Sequence, residues 1–161
     1  SLGSYMMKLA GKGDDIEQNK KMIMENINNK KALNKFKELI KNQGGDVSYI
    51  EDTSKFEKAK YIIPIRSEKM GYIKSMDNEK IGYISSSLGA GRLKKEDKIN
   101  DKVGIIINKK IGDKVNVGDV LGFIHSDDIE VGNNAIKEMQ NCYEFSDEYV
   151  EKQKHILGII K

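Results

Sequence analysis

The sequence is poor in cysteine, proline and tryptophan: its 161 residues include one cysteine, one proline and no tryptophan. An internal disulfide needs two thiols and a thiolate metal centre needs several, so Cys142 alone excludes both within this chain. An oxidising compartment gains no support, and we expect a cytoplasmic protein. Cys142 itself is expected to be a small core residue rather than a nucleophile.

Long hydrophobic runs and blocks of one charge are also missing from the sequence. No apolar run approaches the roughly 20 residues that cross a bilayer, and the basic-then-apolar layout of a signal peptide is absent. The 28 basic and 25 acidic residues are interspersed. Neither a membrane nor a nucleic-acid partner is therefore expected. The chain starts at Ser1, and Leu2 enters a helical pattern without a capping segment, so we expect it to be part of a longer protein.

The first part of the chain has helical periodicity. Apolar residues at helical spacing predict three helices, and the pattern stops at Gly44-Gly45. Asp14 is the expected cap of the second helix, with Glu17 three positions later as in a capping box. Residues 1–45 are thus predicted to be a short helical segment.

From Asp46 onward the apolar period falls from 3.6 to 2, which favours strands. The segments expected to be strands are Tyr61–Ile65, which contains Pro64 and therefore belongs at an edge or a bulge, the segment opening at Gly71, Val103–Ile107, Val120–Ile124 and, at the end of the chain, residues 156–160. Two helices are expected between them, one capped by Asp77 and closed by Gly89, the other around Met139. The fold class is therefore α+β, with residues 46–161 as the second domain.

Gly89-Ala90-Gly91-Arg92 is the sharpest local motif. Two glycines let a backbone approach a partner closely, and an arginine fork can grip a carboxylate or phosphate through two parallel bonds. Arg66 and Arg92 are the only arginines in a lysine-rich chain. The alternative is a helix C-cap followed by a surface loop, in which Arg92 pairs internally with Asp97 or Asp101.

Other candidate groups have simpler interpretations. His125 and His155 are the only imidazoles, and His125, followed by Ser126-Asp127-Asp128, is expected to be a strand-end residue beside a helix N-cap rather than a metal ligand. Residues 111–121 look like the turn-and-strand unit of biotinyl and lipoyl carriers, but Lys74, the nearest candidate for modification, lacks their flanking residues. No catalytic constellation stands out.

The order of several spaced motifs resembles the C-terminal part of pyrimidine-nucleoside phosphorylases, the family that includes thymidine phosphorylases. The match covers nearly the whole chain. Its motifs are Leu2-Gly-Ser-Tyr-Met-Met7, Leu9-Ala-Gly11, Lys31-Ala-Leu33, Gln43-Gly-Gly-Asp46, Gly71-Tyr-Ile73, Ile81-Gly82, Leu88-Gly-Ala-Gly-Arg92, Lys95-Glu-Asp97, Val103-Gly-Ile-Ile106, Lys109-Lys-Ile-Gly-Asp113 and Gly118-Asp119. The resemblance implies that residues 1–45 are the helical tail of an α/β domain. It implies that residues 46–161 are a C-terminal α/β-hammerhead, which has barrel-sandwich-like architecture.

The same resemblance implies an activity for the parent protein: phosphate converts a pyrimidine nucleoside to free base and pentose 1-phosphate. Phosphate would be the co-substrate, a monovalent cation would bind upstream, and the parent would be a homodimer. The family's Lys-His-Ser and glycine-rich phosphate-binding segments lie upstream of the match, and this chain contains neither. We therefore expect no catalytic residue and no cofactor here, with upstream catalytic and helical domains as partners and residues 89–97 as a domain-closure loop. A stand-alone binding or carrier-like module is the alternative.

Overall fold

A computed structural model describes residues 1–154 and 156–160. It divides into two compact units, residues 1–56 and residues from 57 onward, and combines helices with small antiparallel sheets. The α+β class is confirmed. Within the described residues, no helix combines the length and the apolar character that a membrane crossing requires.

The N-terminal unit is helical throughout. Its helices are α1 (Leu2–Leu9), α2 (Ile16–Asn28), α3 (Lys31–Asn42) and α4 (Ser48–Glu51), followed by a 3₁₀ turn at Thr53–Lys55. The expected cap at Asp14 is wrong by one residue, because the Asp15 carboxylate accepts the N–H groups of Glu17 and Gln18 at 2.9 and 3.1 Å. A carboxylate two positions before a donor reaches the free N–H groups of the first turn.

The end of α3 agrees with the sequence, but the helical region continues beyond it. Gly44 has φ +79°, the left-handed conformation expected of a helix-terminating glycine. The segment after it carries α4 and packs within the first unit: the Lys37 Nζ–Glu51 Oε1 distance is 3.0 Å, and the Tyr49 and Phe56 ring centroids lie 5.1 Å apart. The compact units thus divide after residue 56, while the assignment of 1–45 and 46–161 to two domains of a longer protein stays a prediction.

The C-terminal unit holds two three-stranded antiparallel sheets. Its elements are β1 (Tyr61–Arg66), β2 (Gly71–Met76), α5 (Asn78–Ser85), β3 (Gly104–Ile107), β4 (Lys114–Val115), β5 (Val120–Ser126), α6 (Ile129–Gln140) and β6 (Tyr143–Ser146). The strand orders are β1-β5-β3 and β4-β2-β6. As predicted, Pro64 lies on an edge strand, where its missing N–H costs no ladder bond, and the register of β1 shifts between Ile65 and Arg66.

One core serves the C-terminal unit. Its most deeply buried apolar side chains are Ile65, Ile73, Ile84, Val115, Leu121, Ile124 and Met139. The alternating strand residues and the inner faces of α5 and α6 supply these side chains, as the two periodicities predict. Cys142 is 2% exposed, which agrees with its expected place in the core.

Two strand assignments differ from expectation. The strand predicted at residues 156–160 is wrong: this segment has no regular secondary structure and pairs with no described strand, and Leu157 and Ile160 are 94% and 102% exposed. One outer strand of the β4-β2-β6 sheet is β6. This strand has only four residues, too few for its alternation to stand out in the sequence. His155 lies outside the described residues.

The segment after β6 crosses the body of the C-terminal unit as an irregular strap, residues 147–154. Tyr149 packs edge-on against Tyr72 with ring centroids 5.4 Å apart, and Lys152 Nζ lies 2.7 Å from Asp113 Oδ1. Gly112, with φ +85°, lies directly beneath: a Cβ built there would come within 3.0 Å of the Lys152 backbone. Strap and body together line an open cleft of about 470 Å³.

Gly112 and Gly118 offer a matched pair for testing the strap. Both have strongly positive φ, but a Cβ at Gly118 meets open space. We predict that Gly118→Ala costs only the left-handed backbone term of about 1 kcal/mol in the free energy of unfolding. Gly112→Ala should cost more, because it also displaces Lys152, and should make residues 147–154 more accessible to limited proteolysis. Equal unfolding and cleavage for both variants would show that the strap is not seated on Gly112.

Candidate functional site

The glycine-arginine motif lies where α5 ends. Asp77 starts this helix by accepting the N–H of Lys80 at 3.0 Å, as predicted, and a π-type turn follows at Ser86–Ala90. Leu88 is buried in this turn, and Gly89 adopts φ +101°. A side chain at Gly89 would strain the backbone, so glycine is what allows the chain to leave the helix here.

Gly91 has a different role, which is close packing. A Cβ at this position would lie 2.6 Å from the Ser86 Oγ, so the backbone after Ala90 rests against the turn that precedes it. The two glycines thus shape the start of an exposed loop, residues 89–97, which we call the glycine-arginine loop. Their arrangement shows why both positions lack a side chain.

Asp97 closes the far side of the glycine-arginine loop. Its Oδ2 accepts the N–H of Leu93 at 3.1 Å and the N–H of Lys94 at 2.8 Å. Asp97 therefore has local main-chain partners of its own. A carboxylate that accepts two local N–H groups fixes the turn between them.

The base of the loop is tied to the end of β5. The N–H of Asn100 donates to the Gly89 carbonyl at 2.9 Å, and its Nδ2 donates to Asp127 Oδ2 at 2.9 Å. Asp127 Oδ1 in turn accepts the N–H of Lys60, just before β1, at 2.9 Å, and Lys102 Nζ lies 3.6 Å from the same carboxylate. One carboxylate therefore joins the loop to two strands.

Electrostatics follow these contacts. The side-chain hydrogen bond from Asn100 is the main influence that lowers the pKa of Asp127, and the Lys60 N–H and the Lys102 charge act in the same direction. The hydrogen bond that Lys102 donates to the Glu57 carboxylate, assisted by the charges of Asp127 and Glu57, raises the pKa of Lys102. Both groups therefore remain charged at neutral pH.

Sequence patterns did not identify Asn100 and Asp127 as supports of the loop. The available signal was the Ser126-Asp127-Asp128 run, which was expected to place a helix cap beside His125. Asp128 is indeed the cap of α6 and accepts the N–H groups of Glu130 and Val131. The role of Asp127 depends on a partner 27 residues away in sequence, which local spacing does not show.

Arg92 projects from the loop as an exposed residue. In the part of the chain that the structure describes, it forms no ion pair with Asp97, Asp101 or any other carboxylate. The alternative of an internal salt bridge is therefore wrong. Gly89, Ala90, Gly91 and Arg92 lie together, as contiguity requires, with the guanidinium available to a partner.

The remaining candidates have structural positions. His125 lies within β5, paired with Ile62 and Gly104. Residues 1–154 and 156–160 contain no group of three or more His, Cys, Asp or Glu side chains placed to hold a metal ion. Lys74 lies inside β2 rather than at a hairpin tip, where a carrier lysine would have to be exposed to its modifying enzyme.

Residues 72–146 match the family described as "Pyrimidine nucleoside phosphorylase C-terminal domain". The α+β unit that carries the glycine-arginine loop therefore belongs to the class of nucleoside phosphorylase C-terminal domains. Most of the chain is also similar to proteins named pyrimidine-nucleoside phosphorylase from Staphylococcus aureus strain USA300, with 42% identity, and from the bovine strain RF122 / ET3-1, with 41% identity. Both matches extend over 150 residues, 93% of this chain and 34% of the relative.

The chain belongs to the pyrimidine-nucleoside phosphorylase family, of which it represents a C-terminal portion. It spans about a third of the length of the curated relatives that it matches. The resemblance expected from the spaced motifs is confirmed.

We predict that Asn100→Ala loosens the glycine-arginine loop. The substitution removes the side-chain bond to Asp127 and leaves the main-chain bond to Gly89 unsupported, so amides in residues 89–97 should exchange about tenfold faster. Amide exchange followed by mass spectrometry measures this. Asn108→Ala is the control, because Asn108 is exposed and makes only main-chain hydrogen bonds among the described residues. Equal loop exchange in the two variants would contradict the assigned role of Asn100.

The same variant should change the acid dependence of stability. The folded pKa of Asp127 is below its ordinary value of 3.8, so this carboxylate stabilises the fold above pH 3.8. The contribution is lost as pH falls through the lowered folded pKa. Asn100→Ala removes the largest cause of the shift, so the pKa of Asp127 should move back toward 3.8 and the loss of stability below that pH should become less steep. NMR titration of the side-chain carboxyl groups measures the pKa of Asp127, with Asn108→Ala as the control. If the pKa of Asp127 is the same in Asn100→Ala as in the unmodified chain, the assignment is incorrect.

Proposed function

We propose that this chain is the non-catalytic C-terminal part of an enzyme that cleaves pyrimidine nucleosides with phosphate. The products would be the free base and pentose 1-phosphate. The observation that carries the proposal is the match of 93% of the chain to about a third of proteins named pyrimidine-nucleoside phosphorylase. The sequence lacks the family's Lys-His-Ser and glycine-rich segments, which favours a structural role over a catalytic one.

The role that we propose is to assist domain closure. Closure in a hinged enzyme excludes water and brings the two substrates together, so a loop outside the reacting centre can bias turnover. The glycine-arginine loop suits this task because Asp97 and Asn100 hold it in shape. Arg92 would then meet the opposing domain or a carboxylate at its edge, where a planar fork binds with two bonds.

The partners in this proposal are the upstream catalytic and helical domains of the same protein. Exposed apolar side chains on the N-terminal unit support such a neighbour; they include Leu2, Met6 and Leu9 on α1 and Phe36 and Leu39 on α3. An apolar surface of this kind is unusual on a free-standing unit. Phosphate would bind upstream as co-substrate together with the monovalent cation, the parent would be a cytoplasmic homodimer, and the C-terminal unit would be its α/β-hammerhead.

The proposal is tested by comparing this 161-residue chain with the same protein extended upstream by the remaining length of its relatives. Phosphate-dependent release of uracil from uridine and thymine from thymidine is measured for both. We expect activity in the longer protein alone. Activity in neither would favour a binding module. Activity in the short chain would disprove the non-catalytic role, and a lysine-linked mass increment in the intact protein would indicate a carrier.

In the extended protein, we predict that Arg92→Ala lowers kcat/KM by about tenfold, the effect of losing one charge-assisted hydrogen bond. Arg92→Lys should recover only part of the loss, because lysine lacks the planar fork. Lys98→Ala is the control, since it removes an exposed positive charge just beyond the loop. Unchanged kinetics in Arg92→Ala, or an equal loss in Lys98→Ala, would refute the closure role. Neither result would bear on whether the extended protein cleaves nucleosides, which the comparison of the two chain lengths decides.

A further inference from the structure

The β1-β5-β3 sheet is apolar on both of its faces. Ile65 and Ile124 are fully buried on the inner face. The outer face consists of two cross-strand rows, Ile62–His125–Gly104 and Pro64–Phe123–Ile106. Ile62 and Ile106 are 51% and 49% exposed. An antiparallel sheet with one face in water normally carries polar side chains on that face, so these two rows have the composition of a covered surface.

The second sheet of the same unit shows the usual alternation. Its exposed strand residues are Lys74 on β2, Lys114 on β4 and Glu144 on β6, and each lies directly beside a buried apolar residue of its strand. The two sheets belong to one folded unit and share one core. The apolar outer face is therefore specific to the β1-β5-β3 sheet.

His125 is the one polar side chain in the two rows, and it lies on the central strand. It is half-buried, and its ring nitrogens can donate or accept a hydrogen bond. Apolar groups with an isolated hydrogen-bonding residue are typical of the centre of a protein interface. The chemistry of this face thus fits a partner that is itself apolar, with one polar group opposite the imidazole.

The outer face adjoins the anchor of the glycine-arginine loop. The carboxylate of Asp127 accepts hydrogen bonds from Asn100 and from the N–H of Lys60. Asp127 lies two residues beyond His125, and Lys60 lies two residues before Ile62. The first row of the face and the base of the loop therefore start from the same carboxylate, so the two surfaces are continuous.

Charges at the ends of β1 disfavour a second copy of this chain as the occupant. Lys60 precedes the strand and Arg66 ends it, and neither forms an ion pair with a described carboxylate. Two copies stacked face to face about a two-fold axis would bring these cations together, whether their strands ran parallel or antiparallel. The chain spans about a third of the length of its relatives, so most of such a protein lies outside it.

We propose that the outer face of the β1-β5-β3 sheet docks an apolar surface of the upstream domains of the longer protein. This inference rests on the proposed function, which supplies those domains, and it adds a second contact beside that of Arg92. The sheet would contribute buried apolar area, while the loop would contribute a directional polar contact at the rim. An apolar centre with a polar rim is the usual anatomy of a protein interface.

The test measures how readily an engineered thiol on the face reacts. Ile106→Cys is made in the 161-residue chain and in the protein extended upstream, and alkylation by a water-soluble maleimide is followed by intact-protein mass spectrometry. Cys142 is 2% exposed, so the new thiol should be the reactive one in the folded protein. We expect alkylation to be about tenfold slower in the extended protein, because the thiol reacts only when the docked surfaces separate.

Lys74→Cys is the matched control, since Lys74 is an exposed strand residue of the other sheet. Its alkylation rate should be the same in both chain lengths. Each variant is compared with itself in the two lengths, so the local reactivity of the thiol cancels. Thermal unfolding of the 161-residue chain checks that both variants fold.

Ile62→Thr is an independent variant on the same face. Threonine retains the β-branched shape that suits a strand, so the exposed substitution should leave thermal unfolding of the 161-residue chain unchanged. Added to Ile106→Cys in the extended protein, it should accelerate alkylation because it removes an apolar contact. Val117→Thr, at a 67% exposed position outside the face, should leave the rate unchanged.

Equal alkylation of Ile106→Cys in the two chain lengths would overturn the proposal. Alkylation of the 161-residue chain that slows as its concentration rises would also overturn it, because a second copy would then cover the face. Nucleoside cleavage is measured separately. A protected thiol in an extended protein without cleavage would support the docking surface and reject the proposed function, and an unprotected thiol in an active protein would do the reverse.

Discussion

Burial of β5 between β1 and β3 is the constraint on which the C-terminal unit depends. This strand is antiparallel to both neighbours, and its Leu121 and Ile124 lie at the centre of the core. A Cβ at Gly122 would collide with the Ile106 carbonyl, so the pairing with β3 requires close main-chain approach at that point. Because both edges of β5 are paired, its ends have fixed positions from which other elements can be placed.

The end of β5 carries this order outward to the surface. Asp127 follows the strand directly, and its carboxylate accepts hydrogen bonds from the N–H of Lys60, just before β1, and from the side chain of Asn100. The main-chain N–H of Asn100 donates in turn to the Gly89 carbonyl. The glycine-arginine loop is therefore exposed yet anchored, a common arrangement for loops that meet other surfaces from a rigid scaffold. An anchored loop loses little conformational entropy when it binds. In a nucleoside phosphorylase of several domains, the binding free energy of a contact at Arg92 would therefore be available to favour one arrangement of the domains.

Most elements followed from periodicity, and the exceptions have physical reasons. The helices α1 to α3 and the strands β1, β2, β3 and β5 are long or strongly patterned, and Pro64 correctly marked an edge. The short strand β6 and helix α4 escaped because four residues contain too little repeat to separate a strand or a helix from a turn. Residues 156–160 carry a β-rich composition but pair with no described strand, and composition alone does not show whether a segment finds a partner.

The candidate site divides in the same way. Residues 89–92 were visible because glycine and arginine each have chemistry that few other residues share. Asp127 and Asn100 were not, because their importance comes from a contact between distant segments.

The apolar side chains on α1 and α3 have a consequence for the behaviour of the isolated chain. Leu2 is 75% exposed and Leu9 is 88% exposed, so their burial against another copy would release ordered water without any specific recognition. Self-association through the helical unit would then make the apparent stability rise with protein concentration. The same helices would promote aggregation of the isolated chain and would form a domain interface within a longer polypeptide.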